Sequence, residues 1–533
     1  MSSPVVDKDN YVKDVSPIIY KITAVFLFFV FTFILIYKVT EIPTPFNVDE
    51  AGLAYDAVSL VDYHTDRFLY RFPVYFVNFG GGQNALYTYI ASFFVFLFGY
   101  SPLIIRMPAI ILSLLSVFVL SFSIRTEYGN RASLITIFFF TTLPFSIMHS
   151  RWGLESYLLF PMLIFSIIAF FYAVKKNKIC FYLLSGVIFG ITLYSYTVSY
   201  LLLPIFLVIV WLYLLYIHKI RWNHIIVMGI PLLIFAIPLI LMLAVNNGFL
   251  DEIKTRFFSV PKFPFYRAHE ISIQNILSHL KFGSSNIFYN LFVNDHCAYN
   301  IIPEFGSMYY ITLPFIIFGC IFCFRKSWSD FRNKRFSLNF LMVILFCISF
   351  LISLLYENIN ANRACALYFP FIYFLAFGTY ETLKKSKKNI VILAVSVYLV
   401  FFIFFIHCYF NEYPEIINGD SMFASVSDLE NAISFADEVN FRKETVYILD
   451  SVQPYIYFLL AKQMDPYTFN EQMILSNDHF VKVIGNYRFR LDAVMPKCVY
   501  IINPSHQKED EFESFGFDKK QFGSVVVYYP PAD

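Results

Sequence analysis

Two carboxylates stand side by side in Asn47-Val48-Asp49-Glu50-Ala51-Gly52, directly after the first long apolar run. A carboxylate at such a boundary can take the proton from a hydroxyl and make it a nucleophile, a gain of about 10²–10⁴-fold. Ahead of the helix-forming stretch Ala51-Gly52-Leu53-Ala54, Asp49 also suits a helix cap. The residues alone leave both roles open. Arg151 and Glu155 come four apart, the spacing that puts two side chains on one helix face. They read either as a local ion pair of small worth or as an anion-binding cation beside a second working carboxylate. Arg363 closes the turn Glu357-Asn358-Ile359-Asn360-Ala361-Asn362, and Arg106 stands two residues before Pro108. A cation at either place can neutralise an anion or extend its stem along a membrane surface. Gln83 follows Gly80-Gly81-Gly82, which lacks the Lys-Ser/Thr and the strand–helix frame of a nucleotide loop. His64, His149, Tyr194, Tyr196 and Tyr200 complete the polar groups near the ends of apolar runs. Tyrosines there suit ring stacking or an interfacial aromatic belt.

Composition says what frame positions these groups. The chain has 533 residues, 58% hydrophobic, 20% aromatic and 15% charged, with a mean hydropathy of +0.60. Soluble domains carry about a quarter charged residues, and 66 Phe with 39 Tyr exceed what one water-soluble core can hide. The 40 basic against 38 acidic residues leave a net +2, without the basic surplus of a nucleic-acid binder. A polytopic membrane protein remains, with the lipid bilayer as its solvent. Apolar stretches of crossing length fall near 17–38, 103–124, 132–148, 156–174, 179–195, 199–217, 224–244, 306–324, 336–355, 364–383 and 389–408. A further stretch, 85–99, is shorter and ends at Gly99-Tyr100-Ser101-Pro102.

Lys and Arg in short loops stay cytoplasmic. If 85–99 does not cross, that side collects Lys8, Lys13, Arg125, Arg131, Lys175, Lys176, Lys178, Lys219, Arg221, the cluster from Arg325 to Arg335 and the cluster from Lys384 to Lys388. If it crosses, every later cluster falls outside. The expectation is therefore eleven spans, with the N-terminus cytoplasmic, the C-terminus extracytoplasmic and 85–99 a re-entrant or juxtamembrane helix on the outer side. Residues 1–408 form the membrane unit, with large outer loops at 39–102 and 245–305. Residues 409–533 alternate a helix-like stretch at 427–440 with strand-like 445–450, 498–502 and 524–529, apolar 455–461 and acidic 508–514. That pattern predicts a small extracytoplasmic α/β domain. Cys320 and Cys323 are spaced C-x-x-C inside an apolar run, which argues against a zinc or redox pair. Cys297 and Cys498 lie in polar segments, where a disulfide between them can form.

The mid-span positions are almost free of charge, and polar residues cluster at the outer mouths. Transporters usually carry polar groups within their spans, so this distribution suits an enzyme at the outer membrane–water boundary. The ordered set Asn47–Gly52, Phe79–Tyr89, Arg106-Met107-Pro108-Ala109 and His149–Glu155 resembles the GT-C superfamily of polyprenyl-phosphate-sugar-dependent glycosyltransferases. It is most similar to the bacterial family-39 type, related to protein O-mannosyltransferases and lipid A aminoarabinose transferases. The similarity covers roughly residues 15–410 and is strongest over 45–200.

This resemblance implies a GT-C fold, a polyprenyl-phosphate-sugar donor, and a glycan, lipid or protein acceptor in the cell envelope. It implies Asp49 as general base, Glu50 orienting the centre beside it, and direct displacement at the anomeric carbon. Gln83, Arg106, His149, Arg151, Glu155, Tyr196 and Arg363 are the expected substrate-binding residues. Gln83 departs from the family, because aminoarabinose-transferase-like relatives place a Lys there for the carrier phosphate. A divalent metal stays open, with Asp49 and Glu155 as its ligands if one is used. A flippase for lipid-linked glycans and a glycan polymerase remain as alternative readings.

Overall fold

The computed structural model describes residues 14–43, 46–265, 272–282, 289, 292–293, 297, 299–357, 359–418, 420–440, 444–476, 479–491, 493–504 and 510–531. Lys8, Lys13, Asn358 and the first part of the acidic stretch 508–514 lie outside them. Each of the eleven apolar stretches forms a helix or, in one case, a bent pair. They run Pro17–Ile36, Pro102–Tyr128, Asn130–Thr142 with Pro144–Ser150, Glu155–Lys176, Ile179–Thr192, Ser199–Tyr216, Trp222–Asn246, Leu313–Arg332, Leu338–Ser353, Tyr368–Lys385 and Lys388–Asn411. The pair bends by 58° at Leu143-Pro144, where the proline cannot continue the hydrogen-bond ladder.

Among the described residues, seven of these are long and apolar enough to cross a membrane alone, and eight count if the bent pair is one span. That is fewer than the eleven full spans expected. Ile179–Thr192 and Leu338–Ser353 have 14 and 16 residues, about 21 and 24 Å against a hydrocarbon core of about 30 Å. Tyr368–Lys385 carries Glu381, Lys384 and Lys385 toward its end. The first helix shows the pattern of a lipid-facing span. Ser16 caps it and Pro17 opens it, Ile18, Ile22, Phe26, Phe29 and Phe33 are exposed, and Phe31 and Leu35 are buried. Gly186 and Gly190, spaced G-x-x-x-G, let Ile179–Thr192 pack closely on Trp222–Asn246. A Cβ at Gly186 would stand 2.2 Å from the Met228 carbonyl oxygen of Trp222–Asn246.

The stretch at 85–99 is a 14-residue helix, Ala85–Phe98, ended by Gly99 at φ +77°. At about 21 Å it is too short to cross. It packs between the Val48–Tyr63 helix and Pro102–Tyr128, with Phe93, Phe96 and Phe98 exposed.

The C-terminal region carries a seven-stranded sheet in the order 518–522, 525–529, 499–502, 446–449, 487–488, 481–484, 473–475. Val499–Ile502 lies parallel to Val446–Leu449 and antiparallel to Val525–Tyr529. These central strands are apolar without alternation because both sheet faces are covered. Leu429, Ala432, Ile433 and Ala436 recur at helical spacing and bury one face of the Val426–Val439 helix. Cys498 is a buried free thiol, so the bridge to Cys297 is not formed. This unit is not a loose appendage. Phe46-Asn47 pairs antiparallel with Phe423-Ala424. Val48, Ala51, Leu53 and Tyr55 share one hydrophobic core with Ile456, Leu459 and Phe469.

Candidate active site

Asn47 accepts the Asp49 N–H at its side-chain oxygen (3.0 Å) and so caps the Val48–Tyr63 helix. The capping role therefore belongs to Asn47, and the Asp49 side chain is left to project from the first turn. Next comes a hairpin that the sequence reading did not foresee. Tyr75–Asn78 pairs with Gly81–Asn84 through the two-residue loop Phe79-Gly80. Both loop residues have positive φ, +47° and +77°, the combination whose twist suits a two-residue hairpin and which Gly80 supplies without strain. Strand alternation puts Asn78 and Gln83 on one face. Asn78 Nδ2 donates to Asp49 Oδ1 (3.0 Å), and Gln83 Nε2 lies 3.4 Å from the Asp49 carbonyl oxygen.

Asn84, on the other hairpin face, holds the second carboxylate. Its N–H donates to Glu155 Oε2. Its own side chain accepts from Tyr200 Oη (2.8 Å) and donates to Tyr75 Oη (3.3 Å). Glu155 opens the Glu155–Lys176 helix. Both carboxylates thus sit in the first turns of helices. Ser156 donates to Asn362 Oδ1 (3.2 Å), and Asn362 Nδ2 donates to Tyr299 Oη (3.3 Å). Together these groups enclose a cavity of about 140 Å³. Asp49, Asn78, Gln83, Glu155, Ser156, Tyr196, Tyr299 and Asn362 give it a polar lining, and Phe79 and Leu154 an apolar one. Desolvation holds the Tyr196 phenol well above its ordinary value, so it presents a neutral hydroxyl. Gln83 Oε1 is buried without a hydrogen-bond partner among the described residues.

The cavity brings together Asp49, Gln83, Glu155 and Tyr196 of the expected residues. Arg363 follows the cavity residue Asn362, its guanidinium carbon 5.3 Å from the Tyr356 ring centroid. The structure places the other four elsewhere. Glu50, about 100° further around the helix, forms a fully buried bidentate pair with Arg106 (2.8 and 2.8 Å) and accepts the Gly153 N–H (2.7 Å). Arg106 also donates to the carbonyls of Val39 (2.7 Å) and Pro43 (2.8 Å). Arg151 donates to the carbonyls of Ile34, Leu35, Tyr37 and Ile42. It thereby satisfies the orphan acceptors at the end of the first helix. Arg151 and Glu155 do not share a helix face, because Trp152-Gly153-Leu154 separates the helix that Arg151 ends from the one that Glu155 begins. His149 is buried between the rings of Phe145 and Tyr157, each at 3.9 Å between centroids. Neither it, Glu50, Arg106 nor Arg151 lines the cavity.

Asn78, Asn84, Ser156 and Tyr299 escaped the sequence reading. The available signal was the Phe-Gly pair between two short extended runs, which marks the hairpin carrying Asn78 and Asn84. Among the described residues no three His, Cys, Asp or Glu side chains converge to hold a metal. Asp49 and Glu155, the two carboxylates expected to hold a metal if one is used, both accept amide hydrogen bonds.

Residues 84–244 match the family described as dolichyl-phosphate-mannose-protein mannosyltransferase. No curated protein matches the chain in sequence. Among solved structures, ArnT from Cupriavidus metallidurans bound to undecaprenyl phosphate aligns with a TM-score of 0.51 at 12% identity, over 97% of this chain and 99% of that one. Its apo state gives 0.52 at 11% identity with the same coverage. An oligosaccharyltransferase of Archaeoglobus fulgidus tethered with an acceptor peptide gives 0.49 at 11% identity, over 84% of this chain and 63% of that one. At such identities the ArnT likeness is one of fold, and it extends through the C-terminal region.

Proposed function

We propose that this chain, a membrane glycosyltransferase of the GT-C superfamily, takes a sugar from a polyprenyl-phosphate carrier at the outer face of the cytoplasmic membrane. It passes that sugar, with inversion, to a hydroxyl of a cell-envelope glycan, lipid or protein. The observation that carries this reading is Asp49, presented to a polar cavity from the first turn of a capped helix with a second carboxylate in the same cavity. The acceptor hydroxyl gives its proton to the Asp49 carboxylate as its oxygen bonds to the anomeric carbon. The bond from that carbon to the phosphate oxygen breaks, and its electron pair leaves with the lipid phosphate. One displacement inverts the centre and needs no covalent intermediate. Glu155 faces the sugar, where a fixed carboxylate stabilises the positive charge that grows on the ring. Arg363, beside the cavity and next to Asn362, neutralises the leaving phosphate.

Two features support the membrane side of the reading. Glu155 and the basic pair Lys175 and Lys176 stand at opposite ends of one 22-residue helix, about 33 Å apart along its axis. Basic helix ends favour the cytoplasmic side, which supports a cavity on the outer side. An apolar crevice of about 500 Å³ runs between Ser199–Tyr216 and Trp222–Asn246 and includes Leu193, three residues before Tyr196. It suits an isoprenoid chain whose phosphate reaches the cavity. The test is to incubate purified protein with a panel of polyprenyl-phosphate hexoses and pentoses and follow lipid-phosphate release and product anomer. Release coupled to an inverted glycosidic bond is expected. Movement of intact lipid-linked sugar without a new bond overturns the proposal.

A further inference from the structure

A row of buried polar side chains connects Asp49 to the C-terminal domain and has no part in the displacement itself. Asp56 lies two turns beyond Asp49 on the same helix. It holds the Arg67 guanidinium by two bonds, Nε to Oδ1 (3.0 Å) and Nη2 to Oδ2 (2.7 Å), and accepts the Arg67 N–H (3.0 Å). Both residues are buried, and Arg67 Nη1 has no hydrogen-bond partner among the described residues. Between Asp49 and Asp56 the helix carries Gly52. A Cβ there would stand 2.7 Å from Arg67 Nη2, 3.2 Å from Nη1 and 2.8 Å from Asn78 Oδ1. The guanidinium and the Asn78 carboxamide oxygen therefore approach one another over the bare backbone of Gly52 without being hydrogen-bonded to each other. Asn78 Oδ1 is buried and has no hydrogen-bond partner among the described residues. The far end of the same carboxamide donates to Asp49.

The C-terminal domain grips Arg67 from the other side. The Tyr455 hydroxyl lies beside the guanidinium. Asn470 Nδ2 donates to the Arg67 carbonyl (2.7 Å), and Phe469 packs on Phe68 at 6.0 Å between centroids.

We propose that Arg67 is a positioning residue that fixes which way the Asn78 amide faces, and that the C-terminal domain holds Arg67 in place for this purpose. The proposal rests on Asp49 being the base. A carboxamide is nearly symmetric in shape but carries donors at one end and acceptors at the other. With a buried cation at one end and a carboxylate at the other, only one orientation is favourable: oxygen to Arg67, NH₂ to Asp49. The flipped amide sets oxygen against carboxylate and NH₂ against guanidinium. Arg67 thus acts on Asp49 through Asn78, and the C-terminal domain becomes part of the aiming device.

The test is a double-mutant cycle on purified full-length protein, with kcat and donor KM measured for Arg67→Lys, Asn78→Leu and the double variant. Arg67→Lys keeps a charge beside Asp56 but loses the planar fork that reaches both neighbours. It is expected to lower kcat about tenfold, less than the 10²-fold that a 1 Å misplacement can cost, with donor KM within about twofold. The double variant is expected to match Asn78→Leu alone, because the two act in series. Multiplicative losses, or a change confined to KM, overturn the proposal. If Arg67→Lys does not fold, Gly52→Ala wedges the same two groups apart and Tyr455→Phe removes the contact from the C-terminal domain. Each must then show the same lack of additivity with Asn78→Leu, and multiplicative losses there overturn the proposal equally. Full activity in Asp49→Asn would instead remove the base, a separate failure that the cycle does not produce.

Discussion

Asp49 and Glu50 adjoin in sequence and part in structure. Asp49 faces a cavity lined by neutral amides and hydroxyls, whereas Glu50 is locked to Arg106 in the wall behind it. The cavity and its wall divide the charged groups of this end of the molecule between two tasks. In the wall, Arg106 and Arg151 collect carboxylate and carbonyl oxygens from the chain that leaves the first helix. With all those donors engaged, they are rigid supports and not ligands for substrate. In the cavity, Asp49 accepts from the Asn78 carboxamide and Glu155 from the Asn84 N–H.

The largest expected effect separates the two neighbours. Asp49→Asn should lower transfer by about 10³-fold, with the melting temperature in detergent unchanged. Glu50→Gln should do the reverse, lowering stability by about 3–5 kcal/mol because it leaves Arg106 buried and unpaired. A stable, inactive Glu50→Gln would erase the division. Glu155→Gln keeps an oxygen for the Asn84 N–H and removes only charge. An activity loss of about 10–100-fold is expected, read as kcat at saturating donor.

A smaller effect lies in the wall beneath the site. Burial, reinforced by the neighbouring Asp56 carboxylate, pushes Asp66 up to about 8. The folded state then binds this proton more tightly than the unfolded chain does. Its contribution to stability is complete below about pH 4, declines as pH rises and is gone above about pH 8. Asp66→Asn keeps an acceptor for the Phe68 and Tyr70 N–H groups (2.9 and 2.8 Å). Its melting temperature should fall less between pH 5 and 8 than that of the unaltered protein, and parallel curves would contradict the assignment. The smallest effect concerns His149. Its ring is stacked and neither nitrogen is hydrogen-bonded, so His149→Phe should leave transfer within about twofold.

The helices were legible because apolar runs of crossing length leave few alternatives, and the charge asymmetry of the loops marked 85–99 as a stretch that does not cross, in keeping with its 14-residue helix. The strand-like runs at 445–450, 498–502 and 524–529 and the 427–440 pattern likewise anticipated the C-terminal unit. The roles of Glu50, Arg106 and Arg151 were not legible. Which way a charge points depends on a 100° step around a helix and on carbonyls more than a hundred residues away, such as those of Ile34 and Leu35 that meet Arg151. The Arg151–Glu155 spacing misled because three intervening residues break the helix it presumes. Glu155 and Gln83 nevertheless reached the cavity, brought there by a hairpin whose only local mark is Phe79-Gly80.

The most direct measurement is single-turnover sugar transfer from a polyprenyl-phosphate donor by folded Asp49→Asn and His149→Phe proteins, side by side with the unaltered chain. The account predicts donor binding in all three, transfer at near-normal rate in His149→Phe and almost none in Asp49→Asn. Transfer by Asp49→Asn at the unaltered rate, or its loss in His149→Phe with the fold intact, would place the chemistry elsewhere in the molecule.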